Sequence, residues 1–330
     1  MDHRILEVTA EGGYADTIQA IAKTAEAPLT QVAAPSETEP GLWRILAGSE
    51  TRQSILDSLQ QTLNTARNWR IVILPVEAVI PRPEPTQEPA EAAPETETRE
   101  ELYDDIAKGA EGRANFYLLA VLSTIVAAIG LLTDNVAVVI GAMVIAPLLG
   151  PNLAFAFGTI LGDKALLVAA TRTNIAGIAV TLALSIALGA AWPNPLDSAE
   201  LLSRTEVGYD SIAIALASGF AAALSMTTGL SSALVGVMVA VALLPPAATL
   251  GIMVGAGELN SAVGAALLLA VNIICVNLSA QIAFIVRGLG PRTWWEKRRA
   301  KSWARLNLII LIVFLAVLAG LIYLRRIHFM

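Results

Sequence analysis

Residues 141–151 read GAMVIAPLLGP, and residues 236–246 read GVMVAVALLPP. The two stretches lie ninety-five residues apart and align without a gap. Gly141, Met143, Val144, Leu148, Leu149 and Pro151 meet Gly236, Met238, Val239, Leu243, Leu244 and Pro246. The same offset pairs Ser123 with Ser218, Thr133 with Thr228, Gly162 with Gly257 and acidic Asp163 with acidic Glu258. Matches of alanine or leucine carry little weight in so apolar a chain. Glycine, methionine, paired leucines and proline held in one register mark an internal repeat.

Composition places this repeat in a membrane. Of 330 residues, 55% are hydrophobic and 15% charged, with a mean hydropathy of +0.63, too apolar for an ordinary soluble globular protein. From Phe116 to Val286 only ten charged residues occur. Seven stretches are long enough to cross a hydrocarbon core of about 30 Å at about 20 residues each. They lie near 116–133, 136–161, 165–190, 211–228, 232–257, 260–286 and 306–324. The segment from Arg287 to Arg305 holds seven basic residues against Glu296 alone, which predicts a cytoplasmic loop at 287–305. The stretch from Trp192 to Asp210 carries Asp197, Glu200, Glu206 and Asp210 against Arg204, so the loop at 191–210 is expected outside. Counting back through the spans then leaves the N-terminal part in the cytoplasm, the arrangement expected of this multi-pass membrane protein.

Each repeat copy, 116–190 and 211–286, contains three spans. An odd number means that the second copy enters the membrane from the opposite side, which is the inverted three-plus-three pattern of many transporters. The second span of each copy carries prolines, Pro147 and Pro151 in one and Pro245 and Pro246 in the other. Proline removes an N–H and frees the carbonyl four residues back, and at membrane depth such a group must be covered by protein or water. Both spans are therefore expected to break, with Pro147, Gly150, Pro151, Asn152, Pro245, Pro246 and Thr249 meeting near the midplane as a binding site; simple kinks are the plainer alternative.

Polar residues at depth complete the expected site. Arg172 lies eight residues beyond Lys164, roughly 12 Å into its span. Facing inward it would hold an anionic solute; facing outward it would snorkel to the headgroups. A short insertion around Asn260 is expected to pair Asn174 with Asn272 and Thr181 with Ser279, leaving Ala270 opposite Arg172. Asn174, Asn272, Asn277 and Gln281 either line the same cavity or join helix to helix. Asp134 and Asn135 fall in a turn and read as a helix cap.

Ahead of the membrane body, residues 1–80 alternate strand-like and helix-like runs in the order β-α-β-β-α-β. Ile18, Ile21 and Ala22 in one helix and Ile55, Leu59 and Leu63 in the other keep helical spacing. That order predicts an α+β ferredoxin-like domain, whose open sheet face serves assembly or ligand sensing. Glu11, Gly12 and Gly13 read as a tight turn rather than a phosphate cradle. Residues 81–115 form a Pro/Glu-rich tether and an amphipathic lead-in helix with Leu102, Ile106 and Tyr103 on one face. The first thirty residues lack the apolar core of a signal peptide.

Chemistry-bearing motifs are few. His3 and His328 stand at the two ends, Cys275 is alone in an apolar stretch, and no Walker sequence occurs. No catalytic residue, metal site or cofactor is expected. A net charge of -6 and a pI near 5.1 argue against nucleic acid as a partner. The segments GAMVIAPLLGP, VALLPPA and REELYDDI resemble a prokaryotic membrane family known as DUF389, a domain of unknown function, over most of the chain. The resemblance implies a bacterial or archaeal inner-membrane protein and transfers no functional residue; the long tether and the appended last span depart from it. The leading expectation is a secondary transporter of a small, anionic solute working with membrane lipid around it, as a homo-oligomer. A gated channel and a non-transporting sensor or scaffold acting through the soluble domain are the alternatives.

Overall fold

The computed structural model describes residues 3–36, 39–80, 98–227, 232–290 and 294–328, and the chain divides into two compact units, Met1–Glu100 and Glu101–Met330. The Pro/Glu tether at 81–97 lies outside the described residues.

In the first unit the order is β1 (Arg4–Ala10), α1 (Ala15–Thr24), β2 (Leu29–Ala33), β3 (Gly41–Ala47), α2 (Arg52–Leu63) and β4 (Arg70–Pro75). The strands form one antiparallel sheet in the order β2-β3-β1-β4. Leu6 pairs across from Ile45 and Val8 from Trp43. Strand alternation sends these four to one face, where they are buried with Ile18, Ala22, Ile55, Leu59 and Leu63. Side chains of the intervening positions take the other face, where Arg44 donates to Glu7 at 2.9 Å. Gly12 sits in a short 3-10 turn, Gly12–Tyr14, and a Cβ there would lie 3.2 Å from Pro35, so close approach of the chain explains the glycine.

The second unit is helical: α3 (Arg99–Ala110), α4 (Ala114–Leu132), α5 (Val136–Ile145), α6 (Leu149–Leu161), α7 (Lys164–Ala191), α8 (Ala199–Ser203), α9 (Tyr209–Thr227), α10 (Ser232–Gly255), α11 (Leu259–Val286) and α12 (Trp294–His328). Among the described residues, α4, α7, α9, α11 and residues Leu306–Leu324 of α12 are long and apolar enough to cross a membrane. The pair α5 and α6, bent by 51°, is together long and apolar enough for a broken span or a re-entrant loop, and Ala242–Gly255 is a shorter apolar stretch inside α10. The unit is a polytopic helical membrane protein.

The ninety-five-residue period reaches down to the backbone. Helices α4 and α9 each have 19 residues and α7 and α11 each have 28, and within each pair both ends keep the offset. Gly162 and Gly257 both take left-handed φ, 70° and 83°. Behind them Asp163 N–H reaches the Gly158 carbonyl at 2.9 Å, and Glu258 N–H reaches that of Met253 at 2.9 Å. This is the glycine-terminated closure of a helix end, made twice. Because α7 and α11 match over their whole length, the expected insertion near Asn260 is absent. Asn174 and Asn272 are instead three residues out of register, less than one turn of 3.6 residues, and remain on one face.

Two further expectations are corrected. Helix α10 runs unbroken with Pro245 and Pro246 inside it, so only the first copy has a break. The basic segment expected as a loop to residue 305 enters α12 at Trp294, as suits its lysine, arginine, glutamate and alanine, all good helix formers.

Small residues let the copies approach. Gly251 and Gly255, four apart on α10, lie on Ser185, Ile186 and Ala190 of α7, and Gly189 of α7 lies on the backbone of Ile252. A Cβ on Gly251 would stand 2.5 Å from that of Ser185, which is the close packing of small-residue faces in membrane helices.

Candidate functional site

The break in the first copy begins where proline chemistry puts it. Ala146 is extended (φ -64°, ψ 126°) and ends α5, because the residue before a proline is driven out of the helical region. Pro147 lies in the turn, half-buried, and α6 restarts at Leu149. Pro151 falls in the first turn of α6, where its missing N–H costs no helical bond. Gly150 lies against the backbone of Gly109 in α3; a Cβ on it would sit 2.8 Å from the Gly109 carbonyl oxygen.

Asn152, buried just beyond the break, is a hub. Its Nδ2 donates to the Leu148 carbonyl at 2.9 Å and to Asn174 Oδ1 at 2.9 Å. Its Oδ1 accepts from Asn277 Nδ2 at 3.2 Å, which joins the first copy to the second. Asn277 also donates to the Ile273 carbonyl at 2.8 Å. Two buried polar atoms of the second copy, Asn277 Oδ1 and Thr249 Oγ1, have no partner among the described residues.

In the second copy the prolines leave a trace in hydrogen bonding rather than in helix path. Pro246 has no N–H for the Ala242 carbonyl four residues back. Asn272 on α11 supplies the donor, with its Nδ2 2.6 Å from that oxygen. Pro245, Pro246, Thr249 and Asn272 are all buried. Asn272, Pro246 and Ala242 line the deep part of a cavity of about 930 Å³. The cavity extends between α9, α10 and α11 to the exposed loop after α8, lined on the way by Ser218, Asp210, Glu206 and Arg204. Arg204 pairs with Glu200 at 3.3 Å, so Glu206 and Asp210 leave this end acidic.

The corresponding crevice of the first copy is filled. Shifted back by ninety-five residues, Thr205, Leu268 and Asn272 of the cavity wall become Ala110, Thr173 and Gly177. There the Thr173 hydroxyl donates to the Ala110 carbonyl at 2.7 Å, and a Cβ on Gly177 would be 3.0 Å from the Phe116 ring. Helix α3 occupies the space with buried Leu102, Ile106 and Ala110, the apolar face expected of the lead-in helix. Tyr103 donates to the Asp163 carboxylate at 2.6 Å; that bond, with burial added, pushes the phenol up to about 12, so it stays a donor at any physiological pH. The counterpart of α3 in the second copy, α8, has only 5 residues.

Arg172 is not part of either feature. It is exposed on α7 and borders a separate groove with Lys164 and Asn307. The reason is visible along α7, where Leu166, Ala170, Thr173, Gly177, Thr181, Ser185 and Gly189 are the buried positions: they recur every three or four residues, and Arg172 stands off that stripe. Gln281 likewise serves elsewhere, donating to Asn307 of α12 at 2.9 Å. The loop residues Arg204 and Glu206 and the α9 residues Asp210 and Ser218 are lining that the sequence reading does not include. Asn135 caps α5 through the Val138 N–H at 3.2 Å. Asp134 instead accepts from the Ser198 hydroxyl at 3.1 Å and the Glu200 N–H at 2.8 Å, holding α8. Among the described residues no three His, Cys, Asp or Glu come together as metal ligands.

Comparison with known proteins agrees with the sequence motifs. The profile of the family described as Domain of unknown function (DUF389) matches residues 143–278. An uncharacterised protein of Methanocaldococcus jannaschii is 36% identical over 281 residues, covering 85% of this chain and 87% of that protein. No solved structure matches.

Proposed function

We propose, from the premise that the chain belongs to the DUF389 family, that this protein carries a small polar solute across a prokaryotic inner membrane by alternating access. The observation that carries the reading is the cavity of about 930 Å³ in the second copy, set against its filled counterpart in the first. Two copies of three spans enter the membrane from opposite sides, so equivalent crevices face opposite compartments. One is open toward the acidic loop, which charge bias puts outside; the other is closed by α3. The return state would withdraw α3 from α6 and α7 and fold the α8 segment into the outer crevice, around the polar centre at Asn152, Asn277 and Asn272.

The solute class follows from the lining. With Arg172 outside the cavity and Arg204 neutralised by Glu200, the acidic mouth at Glu206 and Asp210 favours a cation or a neutral polar molecule over the anion that an inward Arg172 would have held. No covalent chemistry is assigned to the chain. The N-terminal unit, read as a ferredoxin-like domain in the cytoplasm, serves assembly or sensing on this view.

Site-directed labelling in membrane vesicles tests alternation without knowledge of the solute. In a Cys275→Ala background, Ser218→Cys should react with an impermeant maleimide from outside, and Thr173→Cys from inside. With both cysteines present, outside modification first should slow inside labelling severalfold, since an outer crevice wedged open keeps the inner one shut. Full, independent reactivity at both positions, or no reaction of Ser218→Cys from either side, would overturn the reading.

A further inference from the structure

A hollow of about 790 Å³ lies between α6, α7 and α12, walled by Phe155, Val168 and Ile175 and bordered by Lys164, Arg172 and Asn307. Val168 and Ile175 are 68% and 64% exposed. With Lys164 and Arg172 they form one stripe along α7 at helical spacing, turned away from the protein core. The stripe therefore meets lipid.

On that surface Arg172 has neither a hydrogen bond nor an ion pair among the described residues. The hydroxyls that share the groove are spent within their own helices, Thr159 on the Phe155 carbonyl and Thr171 on that of Leu167, both at 2.8 Å. Asp163, the carboxylate next to Lys164, is engaged by Tyr103 and by the first N–H groups of α7. A guanidinium roughly 12 Å below Lys164 on a lipid-facing surface needs an anion or water drawn to it. Five basic residues, Lys297, Arg298, Arg299, Lys301 and Arg305, precede Asn307 in the chain, and such clusters at the cytoplasmic face attract anionic lipid.

We infer that this groove binds one anionic phospholipid of the cytoplasmic leaflet. Its phosphate accepts the planar fork of Arg172, with Lys164 above, and one acyl chain runs along Val168 and Ile175 against Phe155. The sequence pattern agrees, since an arginine off the small-residue stripe of α7 has no interior partner to serve.

Native mass spectrometry of the full chain, purified in mild detergent and stripped of lipid, tests this by titration with phosphatidylglycerol or phosphatidylcholine. The wild type should take up one phosphatidylglycerol with at least a tenfold preference, about what one charge-assisted pair supplies. Arg172→Gln should bring the preference to within about twofold, and Arg172→Lys, which keeps charge without the fork, should fall between. Val168→Trp, filling the groove with the charges intact, should lower uptake of both lipids and covers the case in which Arg172→Gln does not fold. Equal uptake of the two lipids by the wild type, or an unchanged preference in Arg172→Gln, overturns the proposal. So does a change of assembly mass in Arg172→Gln and Val168→Trp without a change in lipid, which would make the groove a contact between copies of the chain.

Discussion

If Asn272 is held at its position by the carbonyl that Pro246 frees, the two residues must be energetically coupled. Asn272→Leu keeps side-chain volume but leaves the Ala242 oxygen, now accepting at 2.6 Å, without its donor. Leaving a buried carbonyl bare costs about 1–3 kcal/mol, and interhelical hydrogen bonds in membranes fall toward the low end, about 0.6 kcal/mol on average. The cavity admits some water to this oxygen, so a cost near 1 kcal/mol is expected. Pro246→Ala restores the N–H that reaches Ala242, and because α10 already runs unbroken it requires no change of helix path. In that background Asn272→Leu should cost almost nothing. A coupling of about 1 kcal/mol exceeds the scatter of about 0.3–0.5 kcal/mol seen for independent sites. Equilibrium unfolding of the four chains in mixed micelles measures it. Additive effects within that scatter would refute the link and return Asn272 to the cavity as a solute ligand with no structural duty.

Gly150→Val should prise α3 from the break, because a Cβ would lie 2.8 Å from the Gly109 oxygen. Strain of about 1–3 kcal/mol is expected, with faster cytoplasmic labelling of Thr173→Cys as the readout. Gly255→Val, whose Cβ would strike the Ile186 carbonyl on α7, should lower the yield of folded protein with no shift in labelling pattern among the molecules that fold. Ser218→Trp should fill the outer cavity and block labelling at Glu206→Cys neither in rate nor extent, while shielding Asn272→Cys; equal reactivity at both depths would show that they do not share one passage. Tyr103→Phe removes the bond to Asp163 and should cost about 1 kcal/mol. Since the folded phenol is raised to about 12, that contribution is complete below the ordinary tyrosine value near 10 and is lost as pH climbs through 12, so melting curves of the two proteins should converge there.

How far the sequence could be read depended on which physical signal each residue carried. The left-handed glycines at 162 and 257 and the helix ends around them follow from local backbone chemistry, and the register that pairs Gly162 with Gly257 was visible in the letters alone. Pro147 was legible as a break because Ala146 precedes it and is pushed out of the helix. Pro245 was not legible as a helical residue, for the same rule applies to Leu244 and is overruled by packing on α7 and α11. Arg172 misled because depth along a span says nothing about direction around it. Direction is carried in a membrane by small residues rather than by polarity, and the run from Ala170 through Thr173, Gly177, Thr181, Ser185 and Gly189 was the available signal. The cavity wall at Arg204 and Glu206 was hidden because loop residues have no periodicity to reveal what they enclose.

The two copies differ at the proline positions themselves. At equivalent positions the first has Pro147 and Gly150, the second Ala242 and Pro245. Gly150 has no side chain, and only so can the backbone of α3 lie against it. Pro245 at that place presents a buried ring, and the neighbouring Ala242 and Pro246 line open space. Ala242 in place of Pro147 lets α10 continue, which carries its carbonyl to Asn272 and leaves the floor of the cavity polar. A repeat with identical halves would hold its two one-open, one-filled states at equal energy. On the proposed alternating-access reading, divergence at these few positions tips that balance toward the first crevice filled and the second open, by no more than the few kcal/mol that a reversible two-state equilibrium allows. Exchanging the pair, Gly150→Pro with Pro245→Gly, should therefore weaken the seat of α3 and raise inside labelling at Thr173→Cys while lowering outside labelling at Ser218→Cys. If both rates stay as in the parent chain, the filling of the first crevice comes from the apolar face of Leu102 and Ile106 alone, and the glycine contact is incidental.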